Sequence, residues 1–338
     1  MMRRIIVDAM GGDNAPEAII EGTLAAMREY GIECALVGLE DVVAGHLARL
    51  GAGGKVEVIH APEVIGPDES PVKAIRGKRR ASMTVGLRAV KEGRGGAFLS
   101  AGNTGALMVG GLFIVGRIKG IERPALGTVL PTLKGNGCLL LDVGANADAR
   151  PQHLVEFALM GGRYAKAVGL ATEPRVGLLN IGVEAGKGNT VAKEAYELLR
   201  DDERINFLGN VEARELLSGQ VEVVVCDGFV GNIVLKHTEG VASMFLSLLR
   251  ETVRESLRTK MGGLLLRPAL KRALARLDYA EYGGAPLLGL RGVVVKCHGS
   301  SDARAIKNGI RVAHRLIEGD LVGQIQASIE GADSGHDR

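Results

Sequence analysis

The chain has 338 residues, of which 46% are hydrophobic, 24% charged and 3% aromatic, with no Trp and a formal net charge of +3. That apolar share supports a packed core and excludes a disordered chain, while the small charge and scarce rings exclude nucleic acid as a ligand. Glycine, at 49 residues, is well above its usual share of about 7%, so tight turns are expected in number.

In chain order, Ile5-Ile6-Val7 opens a strand, and 16–30 reads as a helix, with Asn14 and Glu17 spaced as a capping box and Gly31 closing it. Strands at 34–37 and 56–59 flank a helix at 41–50. This βαβ alternation predicts an α/β fold, a three-layer α/β/α sandwich around a mostly parallel sheet. The stretch 95–116 carries no charge, but Gly102-Asn103-Thr104-Gly105 would break a membrane-spanning helix, so it reads as a buried strand, a turn and a helix. Strands at 139–141, 176–179, 221–225 and 293–295 are nearly continuous apolar runs, as expected when both faces are buried.

From 230 to 277 helical period continues, with a break expected at Gly262-Gly263 and a proline at Pro268. This predicts a helical hairpin, 230–280, projecting from a single domain that runs through residue 330. Basic residues crowd it (Arg250, Arg254, Arg258, Lys260, Arg267, Lys271, Arg272, Arg276) against Glu251 and Glu255. A tip of Met261, Leu264, Leu265 and Leu266 flanked by cations fits shallow insertion beside anionic headgroups, or packing on a partner subunit. Residues 331–338 read as a disordered tail.

Cys34, Cys138, Cys226 and Cys297 are far apart and form no C-x-x-C pair, which argues against zinc and for a reduced, cytoplasmic chain. The apolar run after Arg3 and Arg4 ends at Asp8, too early for a signal peptide.

Ligands of an open parallel sheet bind beyond the carboxyl ends of its strands. Six strand ends here run into polar turns: D-A-M-G-G-D from Asp8, S-A-G-N-T-G-A from Ser100, D-V-G-A-N from Asp142, N-I-G-x-E from Asn180 continuing to K-G-N at Lys187, C-D-G-F-V-G-N from Cys226, and K-x-H-G-x-S-D from Lys296. Together they predict one crevice rich in backbone donors. No G-x-G-x-x-G or G-x-S-x-G occurs, and the P-loop-like stretch 182–188 has its first glycine one place too close to Lys187 and Gly188 where Ser or Thr is required. Lys187 among glycines reads as an anion ligand. No metal and no cofactor are expected.

In this ordered set of motifs, over residues 4–317, the chain resembles the bacterial phosphate acyltransferase family of phospholipid synthesis. The resemblance implies a fold related to phosphotransacetylases and isopropylmalate-type dehydrogenases, a homodimer, and transfer of a fatty acyl group from acyl carrier protein to inorganic phosphate. It further implies a membrane glycerol-3-phosphate acyltransferase as the consumer of the product, with peripheral attachment to an anionic membrane surface. Phosphate is then the nucleophile, and the protein must hold it and stabilise the oxyanion. On that footing Lys187, Asn189, Asn232 and His298 are the catalytic candidates. Phosphate and substrate fall to Asp8, Gly11, Gly12, Asp13, Gly102, Asn103, Thr104, Gly105, Asn146, Asp227 and Lys296, with Asp142 orienting donors. Arg76, Lys78, Arg79 and Arg80 are candidates for docking an acidic carrier. A covalent route through Cys226 or Cys297 is disfavoured, because adjacent strand residues such as Cys297 and His298 face opposite ways. A dehydrogenase would need a dinucleotide site and a carboxylate cluster, and a noncatalytic lipid binder would not need the six turns.

Overall fold

The apolar runs become strands because alternate residues load two different cores. Ile5, Val7, Leu99, Leu139 and Leu141 belong to one buried cluster, and Ile6, Phe98, Leu140 and Val294 to the other. A computed structural model describes residues 4–275 and 283–333. Its strands are β1 (Ile5–Asp8), β2 (Cys34–Gly38), β3 (Glu57–His60), β4 (Ala97–Ser100), β5 (Ala125–Leu130), β6 (Cys138–Leu141), β7 (Val176–Asn180), β8 (Phe207–Glu212), β9 (Val223–Val225), β10 (Ala285–Leu288) and β11 (Val293–Lys296). The helices are α1 (Glu17–Tyr30), α2 (Glu40–Arg49), α3 (Pro71–Gly77), α4 (Ser82–Lys91), α5 (Thr104–Gly110), α6 (Pro151–Val168), α7 (Thr190–Asp201), α8 (Gly228–Arg254), α9 (Leu257–Ala275), α10 (Ala303–Glu318) and α11 (Leu321–Asp333). A π-helical turn, Gly111–Val115, continues α5.

The strands form one 11-stranded sheet in the order β3-β2-β1-β4-β11-β10-β5-β6-β9-β7-β8. Buried residues of α1, α6 and α10 cover one face and those of α3, α4 and α5 the other, which gives the expected α/β/α layering. Five strands, β3 to β11, pair in parallel, and so do β6, β9, β7 and β8. Between these sets lie three antiparallel pairings, β11 with β10, β10 with β5, and β5 with β6.

Three expectations need correction. Asn14 does not cap α1, which begins after Pro16 with no side-chain cap. Its amide instead donates to the carbonyls of Ser300 and Ser301, both at 3.2 Å, tying the turn after β1 to the turn after β11. The hairpin breaks at 255–256 rather than at Gly262-Gly263. There Ser256 Oγ accepts the Thr259 N–H at 3.1 Å and starts α9. Both glycines are helical, and Gly263 leaves the notch into which Val253 of α8 packs. Leu264, Leu265 and Leu266 therefore sit along an arm of the hairpin and not at its turn. Finally, α11 carries the chain in helical form to Asp333. Residues 334–338 of the expected tail, and Arg276 and Leu277 of the expected hairpin, lie outside the described residues.

Candidate functional site

The turns after β1, β4 and β11 leave the same end of three neighbouring parallel strands and interlock. Asp8, 2% exposed, accepts Ser100 Oγ–H at 2.7 Å and the Met10 N–H at 3.2 Å, while Ser100 Oγ accepts the Gly102 N–H at 3.0 Å. Burial raises the Asp8 pKa, against the pull of these hydrogen bonds and of Lys296. Gly11 lies so close to Gly102 N and the Asp8 carboxylate that any Cβ would collide, and Gly12 has φ +105°. The Asp13 N–H donates to Gly299 O at 2.8 Å.

Lys296 is buried at the end of β11, donating from Nζ to Ala101 O at 3.1 Å and to Cys297 O. Burial lowers its pKa, opposed by the nearby carboxylates of Asp13 and Asp8. His298 is exposed, and its Nδ1 accepts the Ser300 N–H at 3.2 Å and lies 2.8 Å from Ser300 Oγ. The Asn103 side chain is engaged at both ends of its amide. Its Oδ1 caps α5 through the Ala106 N–H at 2.9 Å, and its Nδ2 donates to the carbonyls of Gly66, Pro67 and Glu69.

A second group gathers around Asp142, which is fully buried at the end of β6. Its carboxylate accepts N–H groups of Leu126, Gly144, Ala145 and Asn146 and the Asn146 side-chain amide, at 2.7–3.1 Å. Burial raises its pKa, and the hydrogen bonds from Ala145, Asn146 and Leu126 oppose the rise. Asn146 also donates to Pro124 O at 2.8 Å, and the Gly228 N–H returns to Asn146 O at 2.7 Å. Asp227 caps α8 by accepting the Val230 N–H at 2.8 Å, and the exposed Asn232 side chain lies over Gly144.

Beside it, the turn after β7 is shaped by Asn180, which donates to Lys187 O at 3.1 Å and to Asn210 Oδ1 at 3.0 Å. Lys187 is exposed, and Asn189 caps α7 through the Ala192 N–H at 2.9 Å. The expected crevice of six turns thus resolves into two assemblies. Lys187, Asn189 and Asn232 follow strands of one sense, and the 102–105 turn follows a strand of the other.

One cavity lies between α5 with its π-helical turn and the turn after β6. Its volume is about 680 Å³, and it is walled by Met108, Val109, Leu112 and Phe113 on one side and by Ala145 and Asn146 on the other. Of these wall residues the sequence pointed to Asn146 but not to Met108, Val109, Leu112 or Phe113. Their signal is the apolar spacing at 108, 109, 112 and 113 just after the glycine turn. All four cysteines are buried, and burial pushes their thiols up, Cys297 to about 12. Among the described residues, no group of three or more His, Cys, Asp or Glu side chains is arranged to hold a metal ion.

The fold is shared with a phosphotransacetylase from Streptococcus pyogenes (TM-score 0.63, 19% identity, 93% of this chain and 94% of that one). It is also shared with a 4-hydroxythreonine-4-phosphate dehydrogenase from Klebsiella pneumoniae (TM-score 0.53, 16% identity, 93% and 99%). The architecture is thus an α/β/α fold of the phosphotransacetylase kind. A family model described as fatty acid synthesis protein matches residues 3–323. Phosphate acyltransferases from Moorella thermoacetica and Bacillus subtilis are 53% and 46% identical to the chain, covering 94% and 97% of it and 94% and 98% of their own lengths. The chain belongs to the phosphate acyltransferase family.

At the cavity mouth, Arg150 pairs with Glu122, and the buried His153 Nε2 lies 3.0 Å from the same carboxylate. Glu156 accepts the Glu122 and Arg123 N–H groups, at 3.0 and 3.4 Å, yet burial pushes its pKa up from 4.5 to about 7. The native state therefore holds a proton that the unfolded chain releases, and stability falls as pH rises from 4.5 towards 7. Glu156→Gln is expected to flatten that slope, measured as urea midpoints across the same pH range. A variant with the wild-type slope would show that Glu156 is not its source.

Proposed function

We propose that the chain transfers a fatty acyl group from its thioester on acyl carrier protein to inorganic phosphate. The product, an acyl phosphate, would feed a membrane glycerol-3-phosphate acyltransferase in phospholipid synthesis. One observation carries this reading: the β1, β4 and β11 turns combine a buried ammonium with tightly packed backbone, while every cysteine thiol is pushed up by burial. Such a site supplies charge and donors but no protein nucleophile, which suits a reaction whose nucleophile is itself a substrate.

A phosphate oxygen attacks the thioester carbonyl carbon, the C–S bond breaks, and the leaving sulfur takes a proton. Phosphate is held at the Gly102–Gly105 turn, by backbone N–H groups and by Lys296. His298 supplies the proton. Lys187, Asn232 and the Asn189 amide approach from the opposite assembly to neutralise the oxyanion. Asp8 and Asp142 hold these turns in shape, while Gly11, Gly12, Asp13, Asn146 and Asp227 fix their approach.

The carrier docks on Arg76, Arg79 and Arg80, which are exposed. Lys78 is engaged elsewhere, donating to Glu69 at 2.6 Å and to Val64 O at 2.8 Å. The hairpin serves dimer and membrane contact. No helix among the described residues is long and apolar enough to cross a membrane. Its arms instead present exposed apolar side chains, Met244, Phe245 and Leu248 on α8 and Leu257, Met261 and Leu264 on α9, with Arg250, Arg254 and Arg258 alongside. This matches interfacial binding from the cytoplasmic side.

Purified protein given long-chain acyl-acyl carrier protein and phosphate should yield a product that hydroxylamine traps. Lys187→Ala should lower turnover by about 10²-fold or more. Folded wild-type protein that releases no thiol in response to phosphate would overturn the assignment. For the membrane, sedimentation with anionic vesicles should fall when Leu264, Leu265 and Leu266 are all changed to Ser, with sizing to confirm that the oligomer survives. Undiminished sedimentation of that variant would remove this arm from the interface.

A further inference from the structure

The cavity between α5 and the turn after β6 has features that polar chemistry alone does not explain. At about 680 Å³ it lies within the range of roughly 300–1,000 Å³ typical of small-molecule sites. Met108, Val109, Leu112 and Phe113 fall on one face across the junction of α5 with its π-helical turn, and π turns are frequent at functional sites. Leu287 of β10 adds a further apolar surface. Phe113 is 61% exposed, an aromatic ring that gains little from the fold.

The mouth is cationic. Arg117, Arg123 and Arg150 stand there against a single glutamate, Glu122, which already pairs with Arg150. The Arg76 guanidinium lies 6.0 Å from the centre of the Phe113 ring, so the basic surface of Arg76, Arg79 and Arg80 begins where the apolar wall ends. A half-apolar cavity with a positive rim complements a long hydrocarbon joined to an anionic carrier. Ala145 and Asn146 place the Asp142 assembly at the same opening, and α5 begins at the 102–105 turn.

We infer that this cavity holds the fatty acyl chain of the thioester substrate, with Leu112 and Met108 setting how long a chain fits. The inference rests on the acyl-transfer reading and adds to it a location and a determinant of chain length. Met108, Val109 and Leu112 are only partly buried, so a larger ring can be placed there without breaking the core.

The test compares kcat/KM for palmitoyl and butyryl carrier thioesters in wild type, Leu112→Trp and Met108→Trp. The palmitoyl-to-butyryl ratio should fall by about tenfold or more, because a hydrophobic pocket discriminates by roughly that factor per methylene. An unchanged ratio would overturn the inference. A second measurement needs no variant: wild-type protein is photolysed with a palmitoyl thioether of the carrier that bears a diazirine at its methyl end. Labelling within 108–113 supports the inference, and labelling confined to α8 or α9 overturns it. Wild-type protein that forms no acyl phosphate from either thioester would refute the acyl-transfer reading, whereas the labelled position still reports the cavity.

Discussion

Where β10 pairs antiparallel with both β11 and β5, and β5 with β6, the ladder hydrogen bonds form only if the two parallel sets of strands run in opposite senses. An all-parallel sheet would deliver all its carboxyl-end turns to one edge. Here β1, β4 and β11 deliver theirs in one sense and β6, β9 and β7 in the other. The cavity lies at this reversal, touching Leu287 of β10, Pro124 just before β5, and Asn146 just after β6. The seam therefore decides which residues can meet a substrate together.

Each assembly depends on a buried carboxylate. Removing a carboxylate from water is costly unless donors surround it, and Asp142 has five, drawn from β5, its own turn and the Asn146 side chain. Asp8 has Ser100 and Met10, with Lys296 close by. These networks fix the backbone of the turns in advance, and advance positioning is what a reaction between two substrates requires. Asn103, Asn189 and Asp227 add to this order, each capping a helix with a side-chain oxygen.

Much of the fold was legible because buried parallel strands are written as β-branched runs, as at Ile5-Ile6-Val7 and Val293-Val294-Val295. The seam was not. β5 interrupts its run with Gly127 and Thr128, and β10 begins Ala285-Pro286, so neither reads as a central strand, although Pro286 is tolerated there. Asn14 and Glu17 had capping-box spacing, but the amide found carbonyls at residues 300 and 301 in a distant turn, a contact that no local pattern encodes. Gly262-Gly263 looked like a turn because glycine pairs usually are. In this hairpin a neighbouring helix needed the space. The polar turns were readable one by one, while their division into two assemblies depended on strand direction.

The central claim is that phosphate itself attacks the thioester, held by turns that contribute no covalent partner. Isotope exchange tests this most directly. Acyl-acyl carrier protein is mixed with labelled free carrier and the protein, first without phosphate and then with it. The account predicts label in the acylated carrier only after phosphate is added, through reversal of acyl phosphate formation. Exchange at a comparable rate without phosphate would reveal an acyl-enzyme and contradict it.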